Sequence, residues 1–141
     1  MKLSDITNIK ILDGQDMYKL VEKNPTVFSR IRYLVFSEIS REIHFVAFDK
    51  KKIIAVGGLE ESPYEKDILW IKHISVDPDY QGQRIATSIM ERFYQYAMDN
   101  NKKLKHSSFT KQGQRLKPIV HRFDQKYPGV SIDEPLRDFV T

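Results

Sequence analysis

The chain has 141 residues, 23 Lys and Arg, 19 Asp and Glu and a formal net charge of +4. That is one domain's length, with enough chain for a core of its own, read here as a single domain over residues 1–141. It has no cysteine, which excludes a disulfide framework, a thiolate nucleophile and zinc-finger spacing, and its four histidines (His44, His73, His106, His121) form no HxxxH or HxxE pair, so no metal site is expected.

The first residues, Met-Lys-Leu-Ser-Asp, lack a long apolar run. The sequence therefore predicts neither a signal peptide nor a membrane span, and a cytoplasmic protein. Ile6 to Leu12 reads as a first strand and Asp13-Gly14 as a turn. Gln15 to Glu22 is a helix with Met17, Leu20 and Val21 on one face. Asn24-Pro25 resembles an N-cap followed by proline at the first helical position. The helix it opens runs to about Ile39 on the period of Phe28, Ile31, Leu34 and Val35.

Ile43 to Phe48 and Ile53 to Glu60 read as strands joined by the charged turn Asp49-Lys-Lys-Lys52. Gly57-Gly58 predicts a bulge or a close backbone approach. Ile68 to Val76 is apolar and rich in β-formers, a largely buried strand, and Asp77-Pro78 stops it. Beyond Gly82 the period changes. Ile85, Ile89 and Phe93, with Ala86, Met90 and Ala97, make one broad helical face that ends near Asp99. A helix opening just after a strand aims its unpaired N–H groups and positive dipole end above the strand end, a nest suited to a pyrophosphate.

Leu104 to Phe109 is the next strand, parallel to the one ending at Val76 through a right-handed crossover. Arg115 to Lys126 is the last helix, provided that Pro118 lies in its first turn. Val130 to Ile132 is a short closing strand. Residues 100–126 hold eight Lys or Arg and one Asp, so the basic charge is concentrated there. It reads either as a solvated face or as an attractor of polyanions.

Val76-Asp-Pro-Asp-Tyr-Gln-Gly-Gln-Arg-Ile-Ala86 resembles the acyl-CoA signature of the GNAT N-acetyltransferases, whose pattern is Gln or Arg, two residues, Gly, one residue, then Gly or Ala. Gln81 and Ala86 fill the outer positions, and Arg84 replaces the middle glycine. The resemblance implies an α/β (α+β) fold with a mixed, mostly antiparallel central sheet flanked by helices, in the order β-α-α-β-β-β-α-β-α-β with a short C-terminal strand. Only 13 residues follow Pro128, so the closing hairpin of the family is shortened or missing.

The activity it implies is transfer of an acetyl group from acetyl-CoA, as co-substrate and without a metal, to an amine by direct attack in a ternary complex. Backbone groups of Ile74, Ser75 and Val76 would pair with the pantetheine arm. Gln81, Gly82, Gln83, Arg84, Ile85, Ala86 and Thr87 would cradle the pyrophosphate. Arg32, Tyr33 and Phe36 of the second helix would flank the acceptor, or pack as core and rim. Strict alternation puts Trp70, Lys72 and Ile74 on the face of Val76 and His73 on the other. His73 and Glu60 are the candidate bases. His121 takes the place of the family's usual acidic tyrosine, Tyr127 falling slightly late, and Ser107 and Ser108 are placed to contact the pantetheine. Two alternatives stand beside this reading. One is a non-catalytic acyl-CoA-binding module, and the other an acyltransferase acting on aminoacyl-tRNA, with nucleic acid allowed but not favoured. The resemblance also allows a homodimer through sheet edges.

Overall fold

The computed structural model describes residues 8–31, 42–82, 84–106 and 117–132. Among these residues five strands form one sheet in sequence order: β1 (Asn8–Leu12), β2 (Glu42–Asp49), β3 (Lys52–Glu61), β4 (Ile68–Val76) and β5 (Lys103–His106). The first four are antiparallel neighbours, and β5 joins β4 in parallel. The helices are α1 (Gly14–Lys23), α2 (Pro25–Arg30), α3 (Ile85–Asp99) and α4 (Lys117–Lys126), with a 3-10 turn at Pro78–Tyr80. No helix among the described residues is long and apolar enough to cross a membrane.

Local chemistry sets the boundaries. Asp13 caps α1, its Oδ1 accepting from Asp16 N–H at 2.9 Å. Asn24 stands before Pro25 as expected, but its side chain does not cap α2. Its Nδ2 donates to Leu20 O at 2.9 Å and so closes α1 instead. The expected length of α2 beyond Ile31, with Arg32, Tyr33 and Phe36, lies outside the described residues, as do Ser107 and Ser108. Pro118 falls in the first turn of α4, where its missing N–H removes no helical bond. The closing strand is reduced to one parallel bridge, Ser131 to Leu104, held by Leu104 N–H to Val130 O at 2.8 Å and Ile132 N–H to Leu104 O at 3.0 Å.

Two cores sandwich the sheet. On one face Ile85, Ile89, Phe93 and Ala97 of α3 pack on Phe45, Leu59 and Ile71, and Val120 and Phe123 bring in α4. Gly57 makes that packing close. A Cβ there would stand 2.6 Å from Ile89 Cγ2 and 2.7 Å from Phe93 Cζ. On the other face Met17 of α1, Phe28 of α2 and Ile31 just after it cover Val46, Ile53 and Val56. Full burial of one such aliphatic or aromatic side chain contributes about 1.5–3 kcal/mol, so each face is a substantial share of the folding free energy.

One irregularity decides what β4 shows to each core. Gly58 pairs with His73 and Leu59 with Ile71, so Lys72 is an extra residue in the ladder. The alternation resets there. Leu69 and Ile71 before the bulge, and Ile74 and Val76 after it, all belong to the α3 core. This corrects the strict alternation read from sequence, which put Trp70 and Lys72 on the face of Val76. His73 and Ser75 point to the α1–α2 side.

Candidate active site

The site begins at an edge of β4 that is open among the described residues. β3 accompanies β4 to Val76, whereas β5, described as far as His106, pairs with Ile68–Ile71. Among the described residues the last five of β4 therefore have no strand on that edge. Asp77 N–H donates to Ile54 O of β3 at 2.7 Å. The two-residue period then turns the amide of Ser75 toward β3 as well, and the N–H and C=O of Ile74 and Val76 outward. Of the three residues expected to present backbone groups, Ile74 and Val76 do so at this edge. Gln81 Nε2 reaches Val76 O at 3.5 Å, so the signature glutamine folds back over the strand end.

The turn after β4 is anchored on both sides. Asp77 is 1% exposed and its Oδ1 accepts from Asp79 N–H at 2.8 Å. Arg30 at the end of α2 places Nε 3.1 and 3.3 Å from the two Asp77 oxygens and a terminal nitrogen 2.6 Å from Asp79 Oδ2. Tyr80 donates its hydroxyl to Asp49 Oδ2 at 2.8 Å, and that bond, with burial and nearby carboxylates, raises its pKa above 10.0.

Next comes the cradle. Gly82 has φ +82 and faces open space, with nothing within 4 Å of where a Cβ would be. Arg84 has φ 61 and ψ 23, the left-handed region, and is the N-cap of α3 without a side-chain cap bond. The N–H groups of Ile85, Ala86 and Thr87 thus open a 15-residue helix with no intrahelical acceptor, at its positive dipole end. This fits a diphosphate, which needs close backbone N–H donors and room. The structure also explains the family's glycine at position 84. The position requires positive φ, so Arg84 bears a conformational cost while its exposed side chain leaves the cradle open. Gln83 lies outside the described residues.

Beside the open edge, on the α1–α2 face, three polar side chains meet over a glycine. His44, Gly58 and His73 are register partners across β2, β3 and β4. Glu42 lies two residues before His44 on the same face. Glu42 Oε1 is 3.2 Å from His73 Nε2, with the two side chains 9% and 27% exposed. A Cβ on Gly58 would stand 2.5 Å from His73 Nε2 and 2.7 Å from Glu42 Oε1, so the missing side chain is what lets them meet. Glu60, the other candidate base, is engaged by Lys72 Nζ at 3.4 Å.

His121 occupies the exposed face of α4 and is not part of this group. The tyrosines near it have structural partners. Tyr127 donates to Glu91 Oε2 at 2.8 Å and accepts from Gln95 Nε2 at 3.2 Å. Tyr94, fully buried, donates to Asp124 Oδ1 at 2.7 Å and lies 3.3 Å from His106 Nε2. Glu91 also holds Lys126, whose hydrogen bond keeps the Glu91 carboxyl below its ordinary 4.5.

Sequence reasoning missed Glu42, His44 and Arg30. Glu42 and His44 share one face of β2 by their i, i+2 spacing, but nothing linear ties them to His73 or ties Arg30 to Asp77, because those contacts form across elements. The one available signal was Gly58, had β2, β3 and β4 been set in register around it.

Comparison with known proteins bears on the family and the fold. A family model described as the acetyltransferase (GNAT) family matches residues 14–113. No curated protein matches the sequence. Among solved structures, the ribosomal-protein-S18-alanine N-acetyltransferase of Escherichia coli superposes with a TM-score of 0.60 at 17% identity, over 82% of this chain and 75% of that one. An aminoglycoside acetyltransferase from an uncultured soil metagenomic sample, in complex with sisomicin, gives 0.58 at 15% identity over 99% of both chains. A predicted acetyltransferase of Clostridium acetobutylicum, solved with acetyl-CoA, gives 0.54 at 18% identity over 92% and 94%. At these identities the structures speak for the fold.

Proposed function

This chain belongs to the acetyltransferase (GNAT) family, and from that premise we propose that it transfers the acetyl group of acetyl-CoA to an amine by direct attack. The observation that carries the proposal is the continuity of the open β4 edge with the uncapped start of α3. An extended arm with amides pairs with the outward groups of Ile74 and Val76 as an added strand. A diphosphate at its far end then meets the N–H groups of Ile85, Ala86 and Thr87 and the open loop at Gly82. Arg84, exposed beside them, adds a guanidinium that suits phosphate.

In the reaction the neutral amine attacks the thioester carbonyl carbon. The N–C bond forms and the C–S bond breaks. One proton leaves nitrogen and one reaches the departing sulfur. The Val76 N–H, aimed at the edge, is the donor for the oxygen as it gains charge. His73, adjacent in sequence to the edge residue Ile74, takes the amine proton. Glu42 Oε1, 3.2 Å from its Nε2, stabilises the imidazolium that forms. For the sulfur, the family pattern offers His121, which stands exposed on α4. Holding both reactants at one edge supplies much of the rate by itself.

The aminoacyl-tRNA alternative loses support from the charges. Lys102 lies 3.1 Å from Asp67 Oδ1, Lys105 lies 3.5 Å from Glu65 Oε1, and Lys126 is paired with Glu91. Three of the eight basic groups that made the segment look like an RNA surface are thus partly neutralised. The location proposed for this activity is the cytoplasm.

The test is thiol release from acetyl-CoA over a panel of primary amines, with His73→Ala beside the wild type. Amine-dependent release that falls at least tenfold in the variant, with acetyl-CoA binding kept, supports catalysis by this edge. Acetyl-CoA binding without release for any amine leaves the non-catalytic binding module as the correct reading.

A further inference from the structure

We propose that Glu42, His44 and His73 form a binding site for a divalent transition-metal ion such as Zn²⁺. One ligand atom from each lies within 4.8 Å of the others. Three features make this more than proximity.

The first is the ladder. His44 and His73 flank Gly58 in one cross-strand row, and strands lie about 4.8 Å apart, so the two Cα atoms are about 10 Å from each other. Imidazoles bridge such a gap only by leaning toward each other above the middle strand. They do so here because the middle residue has no side chain.

The second is distance. Zinc holds His nitrogen at about 2.0–2.1 Å and carboxylate oxygen at about 2.0–2.2 Å, so tetrahedral ligand atoms stand about 3.3–3.4 Å apart. Glu42 Oε1 and His73 Nε2 are already 3.2 Å apart. Bringing the His44 nitrogen in from 4.8 Å at most requires a ring movement of about 1.5 Å.

The third is charge. Glu42 has a side chain 9% exposed, and its Oε1 is a buried oxygen that accepts no hydrogen bond among the described residues. A carboxylate buried this way is costly unless a cation or donors compensate it. A divalent ion supplies that compensation and takes neutral imidazole as its natural partner. Two histidines and one carboxylate leave at least one coordination position for water or another ligand.

Occupancy has a consequence. An ion that uses the His73 ring nitrogen facing Glu42 ties up the imidazole that takes the amine proton. The bound ion therefore switches acetyl transfer off, a corollary that rests on the transfer reading, whereas binding itself does not.

The experiment is a titration of the metal-free full chain with Zn²⁺, followed by competition with a chromophoric chelator. A parallel Co²⁺ titration is read in the visible spectrum. The expected result is one ion per chain at low micromolar affinity or tighter, with cobalt bands of a four- or five-coordinate nitrogen–oxygen site. Glu42→Gln and His44→Leu should each weaken binding at least tenfold. Gly58→Ala, which fills the meeting point and changes no ligand, should weaken it too and guards against a His44 variant that fails to fold. Absence of one-to-one binding at 100 µM Zn²⁺ (about ten times the weakest affinity expected), or wild-type affinity in all three variants, overturns the site. Binding without inhibition of thiol release overturns only the corollary. If no amine supports release, the titration still decides the site.

Discussion

Arg30 and the buried Asp77 are held together, with Arg30 Nε 3.1 Å from Asp77 Oδ2, so the end of α2 and the turn that opens the cradle form one unit. Arg30 is half-exposed, which limits what the charge itself contributes. Its removal nonetheless leaves a buried carboxylate with the Asp79 amide as the remaining hydrogen-bond donor to that side chain among the described residues. Arg30→Ala should cost about 1–2 kcal/mol of stability. It should also raise the KM for acetyl-CoA several-fold with kcat nearly unchanged. A variant with unaltered KM would show that the turn keeps its shape without the clamp.

Arg84→Gly should stabilise the protein. A non-glycine residue at φ 61 bears about 1–2 kcal/mol, partly offset by the greater freedom of glycine in the unfolded chain. The expected net gain is about 0.5–1 kcal/mol in urea unfolding. Affinity for acetyl-CoA then reports the guanidinium separately. A weaker complex in the more stable variant means that Arg84 touches phosphate.

The adjacent glycines of β3 should behave differently. Gly57→Ala drives a methyl into Ile89 and Phe93 and should destabilise by about 1–3 kcal/mol. Gly58→Ala meets instead the far ends of the His73 and Glu42 side chains. It should lose most of its activity at a smaller cost in stability. Equal stability losses in the two variants would contradict the assignment of the Gly58 side as site and the Gly57 side as core.

The Glu91–Lys126 pair ties α3 to α4 and gives a pH signature. The folded Glu91 pKa is lowered, chiefly by the hydrogen bond from Lys126, so its stabilisation is fully present above the unfolded value near 4.5. It is lost as pH falls through the lower folded value. Glu91→Gln should therefore be less stable than wild type at pH 7, with the gap closing below pH 4.5 in denaturant titrations. A gap that persists unchanged in acid would assign the effect to packing.

Much of this molecule is legible in its sequence because local rules act alone there. The span Ile68–Val76, the period of Ile85, Ile89 and Phe93, and Pro118 in a first turn follow from periodicity and backbone chemistry. The proposed cradle is local in the same sense, since Gln81 to Ala86 is one continuous stretch of sequence. The rest depends on register. Gly57-Gly58 signals a bulge nearby but not that Lys72 is the extra residue, and without that the facing of Trp70 cannot be derived, whereas His73, beyond the bulge with Val76, lies on the face that strict alternation gives it. Glu42 and His44 stand about thirty residues from His73 in the chain and meet it only after three strands align about Gly58. Asn24 shows a local ambiguity, because one side chain at a helix–helix junction can close the first helix as readily as open the second.

The central claim is that the β4 edge and the start of α3 bind acetyl-CoA. Thermal unfolding with and without acetyl-CoA tests it most directly, beside an Ala86→Trp variant whose ring would fill the cradle. Ligand at about a hundred times its Kd stabilises by about 2.7 kcal/mol, which raises Tm by roughly 3–6 °C in a domain of this size. The account predicts that rise in the wild type and its loss in a variant that still unfolds cooperatively without ligand. No shift at millimolar acetyl-CoA, or the same shift in both proteins, would contradict it.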